Sequence, residues 1–197
     1  GTITTHTGNI TITDTPTDAQ LATIDAATTG TITYGSGGGV GGGGGSDNDP
    51  ITRTAAQVIE TLQNKSGYTI NITITNADYT VAQLKTINSG TTGAITLTTT
   101  TTALSGASSD LALAFAGTIT EYTGNITITD ADAASISAAN LSTISAATTG
   151  KVTVTNAVAI SGTTAEMIAA LVTDGTKVEV SDASLTISDN PTIAELN

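Results

Sequence analysis

The sequence predicts an α/β fold, a right-handed solenoid of stacked coils in which each coil is a strand and a short helix. We expect one parallel sheet with its outer face partly exposed to solvent. Three observations predict this fold: strand-like alternation of Ile or Val with Thr recurs, helix-start motifs lie between these segments, and the order never changes. Short strands separated by short helices pair in parallel through right-handed crossovers.

Strand-like segments occur in two sets. The first set recurs at 10–13, 72–75, 126–129 and 185–188, and the second lies at 31–34, 94–98 and 151–155. Alternation places the aliphatic side chains on one face and the hydroxyls on the other. We therefore predict two strands per long repeat, in a single array over residues 1–197. Its long repeats span about 1–62, 63–116 and 117–175, with a partial one at 176–197.

Helix starts are indicated by capping boxes, in which a Thr hydroxyl and a Gln or Glu three residues later satisfy backbone N–H groups at the first turn. The five boxes pair Thr17 with Gln20, Thr54 with Gln57, Thr80 with Gln83, Thr163 with Glu166 and Thr192 with Glu195. Starts near Ser108 and Ser137 depart from this pattern. Apolar residues at helical spacing follow, and we expect them in the core: Leu21, Ile24, Val58, Ile59, Leu62, Leu84, Ile87, Leu111, Phe115, Leu141, Ile144, Met167, Ile168 and Leu171.

Glycines follow six of the predicted helices. They are Gly30, Gly67, Gly93, Gly117, Gly150 and Gly175, three of them in a repeated Thr-Thr-Gly motif. We expect them to end the helices in left-handed backbone conformations. Because one unit buries too few aliphatic side chains to offset its ordering entropy, we expect only stacked units to be stable.

Composition excludes several functions. The net charge of -12 with five cations argues against nucleic-acid binding, and no apolar run reaches the length of a membrane span. With no Cys and a single His, zinc sites and Cys- or His-dependent nucleophiles are excluded, so we predict that the chain is not an enzyme. His6 aligns with Tyr122 and is assigned a structural role.

Carboxylates and amides follow the first-set strands at Asp14, Asn76, Asp130 and Asp189, with Asp132 nearby. One interpretation is that they end the strands through local turns. The alternative is that stacking brings carboxylates together and Ca²⁺, the one cofactor considered, offsets their repulsion. Residues 35–49 form a glycine-rich insertion loop, and 42–47 resembles the opening of the calcium-binding nonapeptide of secreted toxins. That resemblance adds Asp47 and Asp49 to the possible calcium ligands, although Asp49 stands where the nonapeptide needs an apolar residue.

Outward threonines form a second candidate site. They are Thr11, Thr13, Thr31, Thr33, Thr73, Thr75, Thr127 and Thr129. A flat Thr-x-Thr array on a parallel sheet resembles the ice-binding face of β-solenoid antifreeze proteins, which implies ice binding as an alternative function. The array degrades at Lys151, Glu179 and Ser188. Thr is also a favourable residue on any solvated strand face.

The recurring ITITD, TxAQLxxI and TTG motifs cover nearly the whole chain. They resemble tandem repeats of giant secreted cell-surface and adhesin-type proteins of marine cyanobacteria and other Gram-negative bacteria. The resemblance implies an extracellular location and a structural role in a surface fibre, adhesin stalk or surface layer. Its partners would be other copies of the chain or adjacent repeats of a longer one. Both ends break inside a repeat, as expected for a length cut from a longer array.

Overall fold

The computed structural model describes residues 6–12, 20, 23–24, 26–30, 32–34, 50–62, 69–173 and 176–192. It is an α/β structure, and every strand pairing in these ranges is parallel. The α/β class and the parallel pairing are therefore confirmed. The predicted insertion loop at 35–49 lies outside the described residues.

Thirteen short strands are present in the described ranges. They are β1 Ile10–Ile12, β2 Ile32–Tyr34, β3 Ile51–Arg53, β4 Ile72–Ile74, β5 Ile95–Leu97, β6 Leu104–Gly106, β7 Ile119–Thr120, β8 Ile126–Ile128, β9 Ser135–Ser137, β10 Val152–Val154, β11 Val158–Gly162, β12 Val178–Val180 and β13 Ala183–Ile187. All seven predicted strand positions are confirmed. Two of the others, β6 with Leu-Ser-Gly and β9 with Ser-Ile-Ser, lack the alternation of Ile or Val with Thr.

The helices in the described ranges with defined bounds are α1 Ala55–Leu62, α2 Val81–Gly90, α3 Ser108–Phe115, α4 Ala138–Ala147 and α5 Thr164–Met167, which continues as a π-helical turn at Ile168–Val172. Capping boxes open α1, α2 and α5, as predicted from Thr54, Thr80 and Thr163. Ser137 makes no capping hydrogen bond at α4. The boxes at Thr17 and Thr192 involve residues outside the described ranges.

Paired strands are separated along the chain by a nearly constant offset, which we call one step. The offset is shortest where Ile51 lies beside Ile72 and reaches its longest value where Val152 lies beside Val178. The resulting sheets have the orders β1-β2, β3-β4-β5-β7, β6-β8-β10-β12 and β9-β11-β13. Helices also pack in sequence, α1 on α2, α2 on α3, α3 on α4, and α4 on α5 with its π turn. The structure thus joins elements that are near neighbours in the chain.

The prediction of a single sheet, with two strands per long repeat, is wrong. Residues 117–175 alone hold five strands. In the β3-β4-β5-β7 sheet, β3 ends at Arg53, directly before α1, whereas β7 ends at Thr120, far before α4 begins at Ala138. Because the helices recur at longer intervals than these strands, the ladder drifts away from them. The intervening residues form further strands beside the helices, and these strands start new sheets.

The core lies between the helices and the inward faces of the strands. The predicted helical core residues Leu84, Ile87, Leu141 and Ile144 are completely buried. So are the strand residues Ile72 and Ile74 and others in the same ladder positions. Leu21 lies outside the described residues.

The predicted left-handed glycine caps are wrong at Gly30, Gly93 and Gly150. The C-cap residues of α2 and α4, Thr91 and Thr148, have extended conformations, and none of the three glycines has a left-handed backbone. These glycines allow the backbone of one step to lie close to the backbone of the step before it. A Cβ on Gly150 would lie 2.5 Å from the Gly124 carbonyl oxygen, and one on Gly30 or Gly93 would come closer still to the carbonyl one step earlier. Gly117 has no left-handed backbone either, and Gly67 and Gly175 lie outside the described ranges.

Candidate functional site

The Thr-Thr-Gly motif links adjacent steps through a buried hydroxyl. Thr148 Oγ1 donates to the Gly124 carbonyl at 2.7 Å and accepts from the Gly150 N–H at 2.9 Å. Thr91 repeats this arrangement with the Ile70 carbonyl and the Gly93 N–H. Since a buried hydroxyl is costly unless paired, these bonds fix the distance between steps.

Three of the Asn and Asp residues that follow the first-set strands, Asn76, Asp130 and Asp189, cap helices one step earlier. Asn76 Oδ1 accepts from the Ala55 N–H at 2.8 Å, at the start of α1. Asp130 Oδ2 accepts from the Ser108 N–H at 2.7 Å, at the start of α3. This role differs from a local turn, because the capped helix begins a full step away in the sequence.

Asp189 has the same role at α5. Its Oδ1 accepts from the Thr164 N–H at 2.9 Å and from the Thr164 hydroxyl at 2.8 Å. The backbone N–H bond, and then the hydroxyl bond, hold the pKa of Asp189 below its usual range because they favour the carboxylate. An N-cap carboxylate is further favoured by the helix dipole.

The calcium hypothesis gains no ligand cluster from these positions. Asp130 and Asp189 serve as caps, and Asp132 is exposed. Within the described ranges, no three or more His, Cys, Asp or Glu side chains are grouped so that they could hold a metal ion. The other proposed ligands, Asp14, Asp47 and Asp49, lie outside those ranges, so a calcium site stays a prediction of the sequence.

The outward threonines are divided between sheets. Thr73 lies in register with Thr52 and Thr96 in one sheet, whereas Thr127 pairs with Ser105 and Thr153 in another. Thr11 pairs with Thr33 in the first sheet, and Thr13 and Thr31 lie outside the described residues.

The threonines that directly follow the strands take part in the backbone hydrogen bonds between strands. The Thr75 and Thr129 N–H groups donate to the carbonyls of Arg53 and Gly106 one step earlier. In the same column, the Thr98 hydroxyl donates to the Ile74 carbonyl at 3.1 Å. The predicted Thr-x-Thr array is therefore a set of short ladders, with part of its hydroxyl capacity used internally.

An apolar strand edge lies at β13, which no sequence pattern singled out. Leu185 is 59% exposed and Ile187 is 41% exposed, whereas their counterparts in β8, Ile126 and Ile128, are 1% and 0% exposed. On one side β13 pairs with β11, placing Leu185 beside Ile160. It is the last strand of its sheet in the part of the chain that the structure describes.

Two buried tyrosines bind the backbone of residues 99–102 from the core. The Tyr79 hydroxyl donates to the Thr99 carbonyl at 2.6 Å, and the Tyr122 hydroxyl donates to the Thr102 carbonyl. Burial raises the pKa of both phenols. His6, which aligns with Tyr122, is exposed. Its backbone N–H donates to the Ala27 carbonyl at 2.9 Å.

The described helices lack the combination of length and apolar character that crossing a bilayer requires. Comparisons of the chain with protein-family models, curated proteins and solved structures found no match. Function is therefore inferred from the residues of this chain and their geometry.

Proposed function

We propose that the chain is a structural, extracellular repeat segment of a surface fibre, adhesin stalk or surface-layer protein. It acts by stacking and self-association, and its steps wind as a right-handed solenoid. The observation that supports this most is the nearly uniform one-step offset between all paired strands. A chain built from such short-range pairings extends by adding steps.

Three kinds of contact tie neighbouring steps together. Parallel ladders join the strands, buried Thr hydroxyls join the Thr-Thr-Gly turns to the preceding backbone, and Asn76, Asp130 and Asp189 cap helices one step earlier. The caps occur at α1, α3 and α5, and the parallel ladders join the steps between them. This interlocking suits a segment whose task is to keep its length under load.

Exposed ion pairs between steps contribute less to stability than these contacts do. Lys85 contacts Asp110 at 2.5 Å and Lys151 contacts Glu179 at 2.7 Å, each joining residues about one step apart. All four side chains are about half exposed, so each pair contributes roughly 0–1 kcal/mol. Cohesion in this proposal comes from backbone pairing and core burial.

Single-molecule force spectroscopy on the whole chain, pulled from its two ends, tests the stalk role. If steps detach one after another, each releases one step of chain, or roughly 8–9 nm at about 3.6 Å per residue. We expect several such increments in each trace. A single release of roughly 70 nm, the extended length of the whole chain, would contradict the proposal.

Ice binding is the second candidate, favoured by the in-register ladder of Thr52, Thr73 and Thr96. Strands about 4.8 Å apart would present their hydroxyls at regular intervals. Thermal hysteresis should then be measurable and should fall in a Thr73→Lys variant but not in Thr129→Lys, outside the ladder. No hysteresis in the native chain would eliminate this candidate.

A further inference from the structure

We propose that Asn71 and Asn125 are attachment sites for N-linked glycans, each recognised together with the Thr two residues later. The donor is a sugar joined through pyrophosphate to a membrane lipid. The inference rests on the proposed extracellular role, because this modification is made on chains that are exported across a membrane. It adds a covalent modification, for which the stacking role itself has no need.

N-linked glycosylation requires the tripeptide Asn-x-Ser or Asn-x-Thr, in which x is any residue except Pro. Five tripeptides of the chain fit this rule, and they begin at Asn9, Asn64, Asn71, Asn125 and Asn140. Those of Asn9, Asn71 and Asn125 have the same sequence, Asn-Ile-Thr, and each Asn directly precedes a strand, β1, β4 or β8. The tripeptide of Asn64 lies outside the described ranges, and that of Asn140 lies in α4. The motif therefore recurs at one position of the fold, the start of a first-set strand.

The extended backbone places both recognition groups on the outer face of the sheet. Side chains at positions i and i+2 of a strand share a face, and in both tripeptides the central Ile is buried on the opposite face. Asn71 and Asn125 are exposed, and Thr73 and Thr127 are partly exposed. In the described part of the chain, the hydroxyls of these two threonines make no hydrogen bond. The amide and the hydroxyl of each tripeptide are thus presented together.

The side-chain amides use their oxygen and leave their nitrogen available. Asn71 Oδ1 accepts from the Ala94 N–H at 2.9 Å, and Asn125 Oδ1 accepts from the Lys151 N–H at 3.0 Å, each one step later. Because a backbone N–H needs an acceptor, these bonds fix the orientation of the amides. Within the described ranges, neither Nδ2 makes a hydrogen bond. A sugar on Nδ2 would replace one hydrogen and leave the bond between steps intact.

The need for an acceptor does not by itself explain an amide at these positions. After the same two strands, Asn76 and Asp130 both accept from the backbone N–H of a helix one step earlier, so the chain uses amide and carboxylate alike for that purpose. Before the three Ile-Thr-Ile-Thr copies, however, the residue is Asn each time. An N-glycosidic bond needs the amide nitrogen, which a carboxylate lacks.

In the transfer, the Asn Nδ2 forms a bond to the anomeric carbon of the sugar. The bond from that carbon to the pyrophosphate oxygen breaks, and its electron pair leaves with the lipid pyrophosphate. The Nδ2 gives up one proton to a base of the transferase, and nothing is oxidised or reduced. Transfer must precede strand pairing, because in the folded chain the Asn71 carbonyl accepts from the Ile51 N–H at 2.9 Å and the Ile72 N–H donates to the Ala94 carbonyl at 2.8 Å.

Peptide mass mapping of the full chain, isolated from the cells that produce it, tests the assignment. We expect glycan masses on the peptides of Asn71 and Asn125 and none on Asn76, which has no Ser or Thr two residues later. Thr73→Val should abolish the modification of Asn71 and leave that of Asn125. Thr75→Val is the matched control, because it changes the next threonine of the same segment and should leave both sites modified.

Two further variants test whether the amide oxygen carries the structural role alone. Asn71→Asp and Asn71→Ala both lose the glycan, but the Asp variant keeps an acceptor for the Ala94 N–H. The thermal midpoint should therefore be lower for the Ala variant than for the Asp variant. Equal midpoints would contradict the amide orientation on which the proposal depends.

The absence of a glycan from both Asn71 and Asn125 in the native chain would overturn the proposal. So would a modification of Asn71 that persists in Thr73→Val. An unmodified chain that still unfolds in several force increments would remove these sites and leave the stalk role standing. A glycosylated chain that releases its whole length at once would support the sites and contradict the stalk role.

Discussion

Strands β8 and β13 contain related segments in two different surroundings. Each follows a comparable neighbour, β6 or β11, and each is followed by an Asp that caps the helix one step earlier. They differ on the opposite edge, where β10 covers β8 and no described strand covers β13. As a result, the equivalent aliphatic side chains are buried in β8 and exposed in β13.

A strand in this fold therefore depends on the next step to cover one of its two edges. Local sequence determines alternation, register and the capping residue, and these are the same in both places. Burial of β8 depends on the segment one step later, Val152–Val154, for which β13 has no described counterpart. Stability should therefore differ between the two strands more than their sequences do.

The largest expected effect is on the core. Ile128→Ala removes a completely buried side chain and should lower the free energy of unfolding by about 2–5 kcal/mol, because it leaves a cavity. The matched change Ile187→Ala, at a partly exposed position, should cost less than about 1 kcal/mol. Chemical denaturation of both variants measures the difference. Equal losses would show that β13 is as enclosed as β8.

A smaller loss is expected at the close approach between β10 and the turn before β8. Gly150→Ala would place a Cβ 2.5 Å from the Gly124 carbonyl oxygen, and the resulting backbone shift should cost about 1–3 kcal/mol. Gly106→Ala is the control, because its Cβ would meet side chains at 3.7 Å or more, which is ordinary contact. Thermal unfolding should show a lower midpoint for the first variant only. A lowered midpoint for both would indicate that loss of glycine itself is harmful.

The interstep cap of α3 should give a still smaller effect. Asp130→Ala removes this cap, and the helix's own N-cap residue, Ala107, makes no side-chain hydrogen bond, so the loss should be about 1 kcal/mol. Asp189→Ala should cost less, since α5 keeps the box of Thr163 and Glu166. Asp130→Asn retains an acceptor, as Asn76 does naturally at α1, and should stay close to native stability. Urea titrations compare the three, and a larger loss at Asp189 would contradict this ranking.

The smallest expected effect is a loss of stability at low pH through Asp189, which follows β13. The lowered pKa of Asp189 means that its carboxylate stabilises the fold above the unfolded pKa of about 3.9, and that this contribution disappears as pH falls through the lowered value. Asp189→Asn should remove that part of the acid dependence and leave stability at neutral pH nearly unchanged. Thermal midpoints between pH 2 and pH 6 test this, and identical profiles for both proteins would count against the cap.

Much of this architecture was predictable because its signals are local. Alternation identified the main strands, and the boxes at Thr80 and Thr163 identified helix starts. The division into sheets was not predictable, because it depends on how strand spacing compares with helix spacing. The role of Gly150 was not predictable from the sequence, because the carbonyl that excludes a Cβ there belongs to a residue one step away.

Prediction of the candidate site from the sequence is limited in the same way. Asp130 and Asp189 were identifiable as residues of interest, but their partners, Ser108 and Thr164, lie one step away in the sequence. Nothing local distinguishes Leu185 from Ile126, since only the neighbouring step decides which is covered. The exposed edge could therefore be recognised only in the structure.

Disulfide trapping can show whether strands pair one step apart. The chain has no cysteine, so introduced pairs give an unambiguous result. A Thr73→Cys, Thr96→Cys variant places cysteines on directly paired residues and should cross-link under mild oxidation. Thr73→Cys with Thr127→Cys, in equivalent motifs of different sheets, should not. Cross-linking of the second pair without the first would show that strands do not pair one step apart.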